Sequence, residues 1–215
     1  MQSKIRKYMN EDVKRSMQEI LRAESEAIMA IPVTDAYEAA VEAIVERVHR
    51  KGGKLVTAGM GKAGQIAMNI ATTFSSTGTP AVNLHPSAAQ HGDLGVVQRN
   101  DIVLFISNSG KTREIIELVA LLHGLYDDIP VIGITGTPDS PLAELADICL
   151  FTADKPEVCP LGLTPTTSTT MMTVIGDVLV VNVMRRIGFT RADYAKRHHG
   201  GYLGIASRTP GDVIK

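Results

Sequence analysis

The feature that most constrains the fold is a series of short apolar runs separated by helical stretches. Ile102 to Ile106 is apolar at every position, which is typical of a strand covered on both faces, as in a parallel sheet. The runs predicted to be strands are residues 55–58, 81–84, 102–106, 131–134 and 148–151. Five strands that alternate with helices predict an α/β domain with a doubly wound, five-stranded parallel sheet flanked by helices.

Apolar residues at three-to-four-residue spacing predict the helices. A helix that ends before Pro32 and a second that begins with Thr34 as N-cap form a helical hairpin ahead of the sheet. Further helices are predicted at residues 63–74, 112–125 and 140–146, from Thr164-Pro165 to about Ile187, and after a capping pair of Thr190 and Asp193. We divide the chain into an N-terminal helix (1–33), the α/β domain (34–205) and a short tail (206–215).

Composition excludes several classes of protein. The 22 Lys and Arg residues balance 23 Asp and Glu residues, so the chain has no general attraction to nucleic acid or to an anionic membrane. Two cysteines are too few for a disulfide framework and indicate a reducing compartment. No apolar run approaches the ~18 residues of a membrane span. We therefore expect a cytoplasmic globular protein with neither nucleic acid nor membrane as a partner.

The loop after the first strand, Gly59-Met60-Gly61-Lys62-Ala63-Gly64, matches the GxGxxG dinucleotide fingerprint. That fingerprint also requires Asp or Glu about 20 residues later, and none occurs between Arg47 and Gly92. A nicotinamide or flavin cofactor is therefore disfavoured, and the glycines can serve simply to pack helix against strand. Lys62 indicates that the loop also binds a ligand, because it adds a cation to a helix N-terminus that is already positive and so favours an anion.

The loop after the third strand, Ser107-Asn108-Ser109-Gly110-Lys111-Thr112, leads into a helix. An N-cap needs one hydroxyl or amide side chain, whereas this loop has four in six residues, which favours a phosphate site. Gly110 allows the backbone to approach a ligand closely. The Walker A pattern GxxxxGK[ST] is absent, so nucleotide hydrolysis is disfavoured.

The remaining loops carry residues suited to proton transfer. Glu157 follows the fifth strand, and four histidines lie near glycines in two other loops: His85, His91, His198 and His199. Each histidine can instead be a surface or capping residue, and a zinc site formed by the four is a further alternative, although their spacing matches no helical metal motif. Cys159 is interpreted as a buried small residue. Six hydroxyl residues within 164–170 suggest a polar wall that contacts sugar hydroxyls.

In combination, these loops resemble the arabinose-5-phosphate isomerases of the sugar isomerase (SIS) domain family, from about residue 35 to 205. The motifs that carry the resemblance are Gly59-Met60-Gly61-Lys62, the segment with Ser75, Thr77, Gly78, Thr79 and Pro80, His91-Gly92-Asp93-Leu94-Gly95, Ser107-Asn108-Ser109-Gly110, Cys159-Pro160-Leu161-Gly162-Leu163, and His198 with Gly200-Gly201. The resemblance implies a homotetramer with sites between subunits and no cofactor. It also implies interconversion of D-ribulose 5-phosphate and D-arabinose 5-phosphate, for the Kdo branch of lipopolysaccharide or capsule synthesis.

The resemblance assigns catalytic roles to Lys62, Glu114, Glu157 and His198. The expected substrate- and phosphate-binding residues are Gly61, Ser107, Asn108, Ser109, Thr112, His91, Thr166 and His199. We expect an enediolate route in which Glu157 is the base at carbon and His198 opens the sugar ring or relays protons at oxygen. Lys62 would stabilise the oxyanion and help to anchor the phosphate, and Glu114 would orient a neighbour or accept a hydrogen bond from a substrate hydroxyl. No metal is expected in this reaction.

The chain departs from the family pattern at three places. Residues 85–89 read His-Pro-Ser-Ala-Ala where the family has His-Pro-Gly-Glu-Ala, and His199 replaces a proline, which leaves open whether His198 or His199 acts. The sequence ends at Lys215 without the cystathionine-β-synthase-type (CBS) domain pair of many members. An isomerase of another sugar phosphate, such as sedoheptulose 7-phosphate or a hexulose phosphate, and a non-catalytic sugar-phosphate sensor are the alternatives. The N-terminal helix is the expected oligomer contact.

Overall fold

The computed structural model describes residues 11–208, so the first ten residues of the N-terminal segment and residues 209–215 of the tail lie outside it. The helices are α1 (Glu11–Met29), α2 (Ala36–Ile44), α3 (Gly61–Ser76), α4 (Pro86–Ala89), α5 (Arg113–Leu125), α6 (Pro141–Leu145), α7 (Thr167–Arg186), α8 (Arg191–Arg197) and α9 (Gly201–Arg208). A π-helical turn (Val45–Arg50) continues α2, and a 3₁₀ turn (Asp93–Val96) follows α4. The strands are β1 (Leu55–Gly59), β2 (Ala81–Asn83), β3 (Ile102–Ile106), β4 (Val131–Thr135) and β5 (Ile148–Phe151).

All five strands form one parallel sheet in the order β2-β1-β3-β4-β5, which confirms the predicted fold class. The strands at the centre of the sheet are buried along their whole length, as the uninterrupted apolar runs predict. β1 and β3 pair in register, Leu55 with Ile102 and Gly59 with Ile106. The strand order reverses between them, so the connections that leave β1 and β3 diverge and create a crevice at their carboxyl ends.

The sheet separates two hydrophobic cores, as a doubly wound fold requires. Alternate residues of β3 point to opposite faces: Leu104 and Ile106 pack in the core that contains α2, α3 and α7, whereas Val103 and Phe105 pack in the core that contains α5. All four side chains are fully buried. This packing holds the ends of β1 and β3, and therefore the crevice, in a fixed position.

Helix α7 crosses the first core and contacts α1, α2 and α3. By length and composition alone it is long and apolar enough to span a membrane, although Asp177 and Asn182 interrupt its apolar residues. About half of it is buried among core residues such as Met172, Ile175 and Leu179, which accounts for its apolar character. It begins at Thr167 instead of at the predicted Thr164-Pro165.

The N-terminal helices pack on the outer side of α7. In α1 only the C-terminal part is held, with Ala27 fully buried, while Val13, Met17 and Leu21 are exposed. At the other end of the domain, Thr190 and Asp193 form the predicted capping box of α8.

Candidate functional site

A cavity of about 380 Å³ lies at the carboxyl ends of β1 and β3, where the strand order reverses. The N-terminal ends of α3, α5 and α7 converge on it. Its described lining residues are Met60, Lys62, Ala63, Ile106, Ser107, Asn108, Ser109, Thr112, Pro165, Ser168, Thr169 and Met172. Because each helix N-terminus carries partial positive charge and this lining contains a lysine but no carboxylate, the cavity favours an anion.

The glycines after β1 bring α3 close to the strand. A Cβ atom on Gly59 would lie 2.7 Å from the carbonyl oxygen of Ala63, and one on Gly64 would lie 2.7 Å from the carbonyl oxygen of Gly59. Gly61 adopts a φ of +58°, a left-handed conformation that favours glycine, at the first residue of α3. Lys62 follows on the surface of the cavity, and its ammonium group has no ion pair or hydrogen bond with any residue of 11–208.

The loop between β3 and α5 is fixed by its own contacts. The Ser107 and Thr112 hydroxyls lie 2.8 Å apart, and the Asn108 carbonyl accepts a hydrogen bond from the Gly136 N–H at 2.9 Å. Gly110 adopts a φ of +61°, and a Cβ atom there would lie 2.0 Å from Ser140 Oγ. Only glycine therefore fits this turn.

The N-terminus of α5 remains open beside this loop. In the described part of the chain, the backbone N–H groups of Thr112, Arg113 and Glu114 have no acceptor. The loop therefore presents free backbone donors and hydroxyl groups at the positive end of a helix, which is the arrangement that binds a phosphate.

The carboxylate of Glu157 occupies the N-terminus of α7. Its Oε2 accepts hydrogen bonds from the Thr166 N–H (2.6 Å), the Thr166 hydroxyl (2.9 Å) and the Ser168 N–H (3.3 Å), and its Oε1 accepts one from the Ser168 hydroxyl. Burial by itself raises the pKa of Glu157, but these donors outweigh burial and hold the pKa below the ordinary 4.5. Glu157 is thus ionised at neutral pH and adjoins the cavity through Ser168, which lines it.

The other predicted site residues lie outside this cavity. Glu114 is half-buried in the first turn of α5, and Thr166 contacts Glu157 without lining the cavity. His91 is exposed beside Gly92, and His199 is exposed after α8. The structure therefore brings together Lys62, the loop after β3 and, through Ser168, Glu157.

His198 lies in a second cavity of about 510 Å³, which it lines together with Arg197, Ser75 and Ser76. Its ring stacks on Tyr194 with centroids 3.7 Å apart. Ser75 is at the opposite end of α3 from Lys62, and the helix between them spans roughly 20 Å at 1.5 Å per residue. His198 and Lys62 of one chain therefore do not face the same cavity.

Sequence reasoning missed a polar groove next to the cavity. A space of about 320 Å³ shares Lys62, Pro165 and Thr169 with it, and its other lining residues are Gln65, Ile66, Asn69, Thr170 and Thr173. The signal was available, because Lys62, Gln65 and Asn69 recur at three-to-four-residue spacing and so share one face of α3.

Cys159 is not a buried small residue, contrary to its interpretation from sequence. It is partly exposed, and hydrogen bonds from the Thr164 hydroxyl and N–H and from the N–H groups of Leu161 and Leu163 lower the pKa of its thiol from the ordinary 9.0 to about 6. Burial raises the pKa of the other thiol, Cys149, to about 11. The turn that follows Cys159 was not predictable from residue type, so its donors were missed.

The histidines do not form a metal site within the described chain. Among residues 11–208, no three His, Cys, Asp or Glu side chains lie close enough together to hold a metal ion. The zinc alternative built from His85, His91, His198 and His199 therefore has no support in the geometry of these residues.

Comparison with known proteins identifies relatives of the chain. The chain is 50% identical over 152 residues to "Arabinose 5-phosphate isomerase KdsD" of Shigella flexneri, which covers 71% of this chain and 46% of that protein. It is 44% identical over 195 residues to the protein of the same name from Yersinia pestis, covering 90% and 58%. The chain thus spans about half the length of the curated relatives it matches.

Solved structures show the same fold. A Bacteroides fragilis NCTC 9343 protein, proposed to be a phosphosugar isomerase involved in capsule formation, superimposes with a TM-score of 0.87 at 66% identity, over 88% of this chain and 99% of that one. The c3406 protein of E. coli CFT073, in complex with arabinose 5-phosphate, gives a TM-score of 0.81 at 33% identity, over 88% and 100%. The family model of the SIS domain matches residues 49–182, and the chain belongs to the SIS domain family.

Proposed function

We propose that the protein is an aldose–ketose isomerase that interconverts D-ribulose 5-phosphate and D-arabinose 5-phosphate. The observation that carries this proposal is the cavity at the β1/β3 crevice, where Lys62 faces a loop with free donors at the N-terminus of α5. The names of the curated relatives and the arabinose 5-phosphate complex of c3406 support the choice of substrate. We place the reaction in the cytoplasm and its product in the Kdo branch of lipopolysaccharide or capsule synthesis.

The phosphate group binds at the N-terminus of α5. The hydroxyls of Ser107, Ser109 and Thr112 and the open backbone N–H groups supply donors, and Lys62 adds a positive charge. The carbon chain then extends into the adjoining groove, where amide and hydroxyl side chains such as Gln65 and Asn69 match sugar hydroxyls. The binding energy of the phosphate positions the reacting carbons.

The reaction moves one proton between C2 and C1 and needs no external oxidant. A base removes the proton from C2 of the aldose, the electron pair forms the enediolate, and the proton returns at C1 while the hydroxyl proton moves from O2 to O1. The ammonium group of Lys62 stabilises the negative oxygen of the enediolate. Glu157 is ionised and serves as the base once the substrate draws the Ser168 hydroxyl away from its carboxylate.

His198 completes the site from a neighbouring subunit. In its own chain it lies at the far end of α3 from Lys62, so an intersubunit site in a homotetramer accounts for both residues. The exposed apolar residues of α1, Val13, Met17 and Leu21, provide an oligomer contact. Mixing inactive Lys62→Met and His198→Ala subunits should restore activity. Mixing Lys62→Met with another inactive variant of the same cavity, the one that Lys62 lines, should not. No recovery in the first mixture contradicts a shared site.

The decisive test of the function is incubation of the purified protein with D-ribulose 5-phosphate. We expect D-arabinose 5-phosphate to form, with deuterium at C2 when the solvent is D₂O. Sedoheptulose 7-phosphate and hexulose phosphates are assayed in parallel, and faster turnover of either would assign another sugar phosphate. Tight binding of D-arabinose 5-phosphate without ketose product would indicate a sensor.

A further inference from the structure

A chain of hydrogen bonds connects the N-terminal helix to the segment that carries Glu157. The hydroxyl of Thr167, the first residue of α7, donates to Glu24 Oε1 of α1 (3.4 Å) and accepts from the Val158 N–H (3.2 Å). Thr167 is only 1% exposed. Val158 directly follows Glu157, so α1 contacts the candidate site through one buried hydroxyl.

Packing alone does not explain Glu24. Its Oε2 is buried and has no hydrogen-bond partner among the described residues. Burying an unpartnered carboxylate oxygen costs free energy that an apolar side chain at the same position would avoid. The carboxylate lies instead at the N-terminus of α7, where the helix dipole favours negative charge and where Thr167 offers a donor.

We propose that Glu24 is a positioning residue for the active site. By accepting a hydrogen bond from the Thr167 hydroxyl, Glu24 turns a lone pair of that oxygen toward the Val158 N–H and so holds the backbone of residues 157–158 against α7. Glu157 then meets Thr166 and Ser168 at the same helix end. Helix α1 precedes residues 49–182 matched by the SIS family model, so it adds a support to the site from outside that domain.

Cys159, next to Val158, reports on this support without any turnover. Its thiolate depends on donors at Leu161, Leu163 and Thr164, which hold its pKa at about 6. When residues 157–158 are released from α7, the Cys159 backbone moves relative to these donors, and its pKa should rise toward 9.0. Cys149 titrates separately, because burial raises its pKa to about 11.

The experiment measures two quantities on the full chain: the pH dependence of Cys159 alkylation by iodoacetamide, with the modified peptide identified by mass spectrometry, and kcat and KM for isomerisation. Glu24→Ala should raise the alkylation midpoint from near 6 toward 9 and lower kcat on the order of tenfold, with KM nearly unchanged. Thr167→Val should do the same, and Thr167→Ser, which keeps the hydroxyl, should behave as wild type. Glu26→Ala, at an exposed carboxylate two residues away on α1, is the control for helix charge.

The energetic coupling between Glu24 and Thr167 shows whether Glu24 positions the site or only stabilises the fold. The double variant Glu24→Ala/Thr167→Val should be no worse than either single variant, because both break the same connection. An unchanged alkylation midpoint in Glu24→Ala, or additive losses in the double variant, would overturn the proposal. Where Glu24→Ala folds poorly, Glu24→Gln, which retains an acceptor, should show a smaller shift in the same direction. The kcat effect rests on the proposed function, whereas the alkylation midpoint tests the connection even if wild type has no isomerase activity.

Discussion

Helices α5 and α7 begin at the same cavity, yet their N-termini are used differently. The first-turn N–H groups of α5 have no acceptor among the described residues, while the start of α7 donates to the carboxylate of Glu157. One helix end therefore binds an anion that belongs to the protein, and the other remains available for an anion from solution. Of the helix N-termini that converge on the cavity, the end of α7 is therefore already neutralised, whereas the end of α5 is not.

The difference follows from what precedes each helix. A short loop of residues 107–112 joins β3 directly to α5 and contains no Asp or Glu. Residues 152–166 separate β5 from α7 and form neither strand nor helix, which lets Glu157 fold back onto the helix it precedes. The longer connection thus supplies an anion to its helix, whereas the shorter one supplies none.

The largest expected effect tests whether the cavity is the site at all. Lys62→Met removes its cation, and we expect kcat/KM to fall by about 100- to 1,000-fold, the range seen when a group that stabilises an oxyanion is removed. Lys51→Met is the matched control, since Lys51 pairs with Glu46 on the surface at 3.5 Å. If the Lys62 variant stayed within about threefold of wild type in a ribulose 5-phosphate assay, the cavity would not be catalytic.

The next variant gives the N-terminus of α5 a carboxylate of its own, as Glu157 does for α7. Ser109→Asp places a carboxylate at the open helix end, and at about 4 Å its repulsion of a phosphate amounts to roughly 1–4 kcal/mol, so KM should rise by about 5- to 1,000-fold. Thermal stability should not fall, because an acidic residue is favourable there. Ser109→Asn, neutral and of similar shape, is the control. Equal KM values for the Asp and Asn variants would argue against phosphate binding at α5.

Much of the fold was predictable because its signals are local. Apolar runs predicted all five strands, and the burial of every residue in β1, β3 and β4 shows why those runs are uninterrupted. The two loops of the cavity were also found, since the carboxyl ends of neighbouring parallel strands must lie together. The start of α7 was misplaced because Thr164-Pro165 has the residue types of a helix start. In the structure, the N–H groups that Glu157 caps belong instead to Thr166 and Ser168.

The rest of the site depends on contacts that no periodicity reveals. Glu157 reaches α7 through an irregular segment, and Glu24 reaches Thr167 from a separate helix. His198 follows α8 and lies beside the far end of α3, in a cavity that it shares with Ser75 and Ser76. Such contacts form between segments that are distant in the sequence, so local patterns of residue type do not reveal them.

A smaller effect measures what the occupied helix end contributes to stability. Glu157→Gln removes the ionised cap of α7 and should lower the free energy of unfolding by about 1–2 kcal/mol at pH 7. Because the folded-state pKa of Glu157 lies below 4.5, the wild-type stabilisation is present above that pH and is lost as the pH falls through the folded pKa. Urea unfolding should therefore show a deficit that shrinks in acid. Glu144→Gln, at an exposed carboxylate on α6, is the control, and a deficit independent of pH would contradict the capping role.

The smallest effect concerns the cavity-facing donor to Glu157. The substrate phosphate itself has a second pKa of about 6, so kcat/KM is expressed per concentration of the phosphate dianion. If Glu157 is the base, this corrected kcat/KM should show no acid limb until the pH falls below 4.5, since the pKa of Glu157 is lowered. Ser168→Ala removes one donor, so the limb should move upward toward 4.5, while Ser168→Thr, which keeps a hydroxyl, should leave it in place. A limb near 6.5 that does not move in Ser168→Ala would instead indicate a histidine base, because histidine side chains ordinarily titrate at about that pH. Glu157 would then be a purely structural anion at the N-terminus of α7, whereas the N-terminus of α5 would serve only to bind substrate.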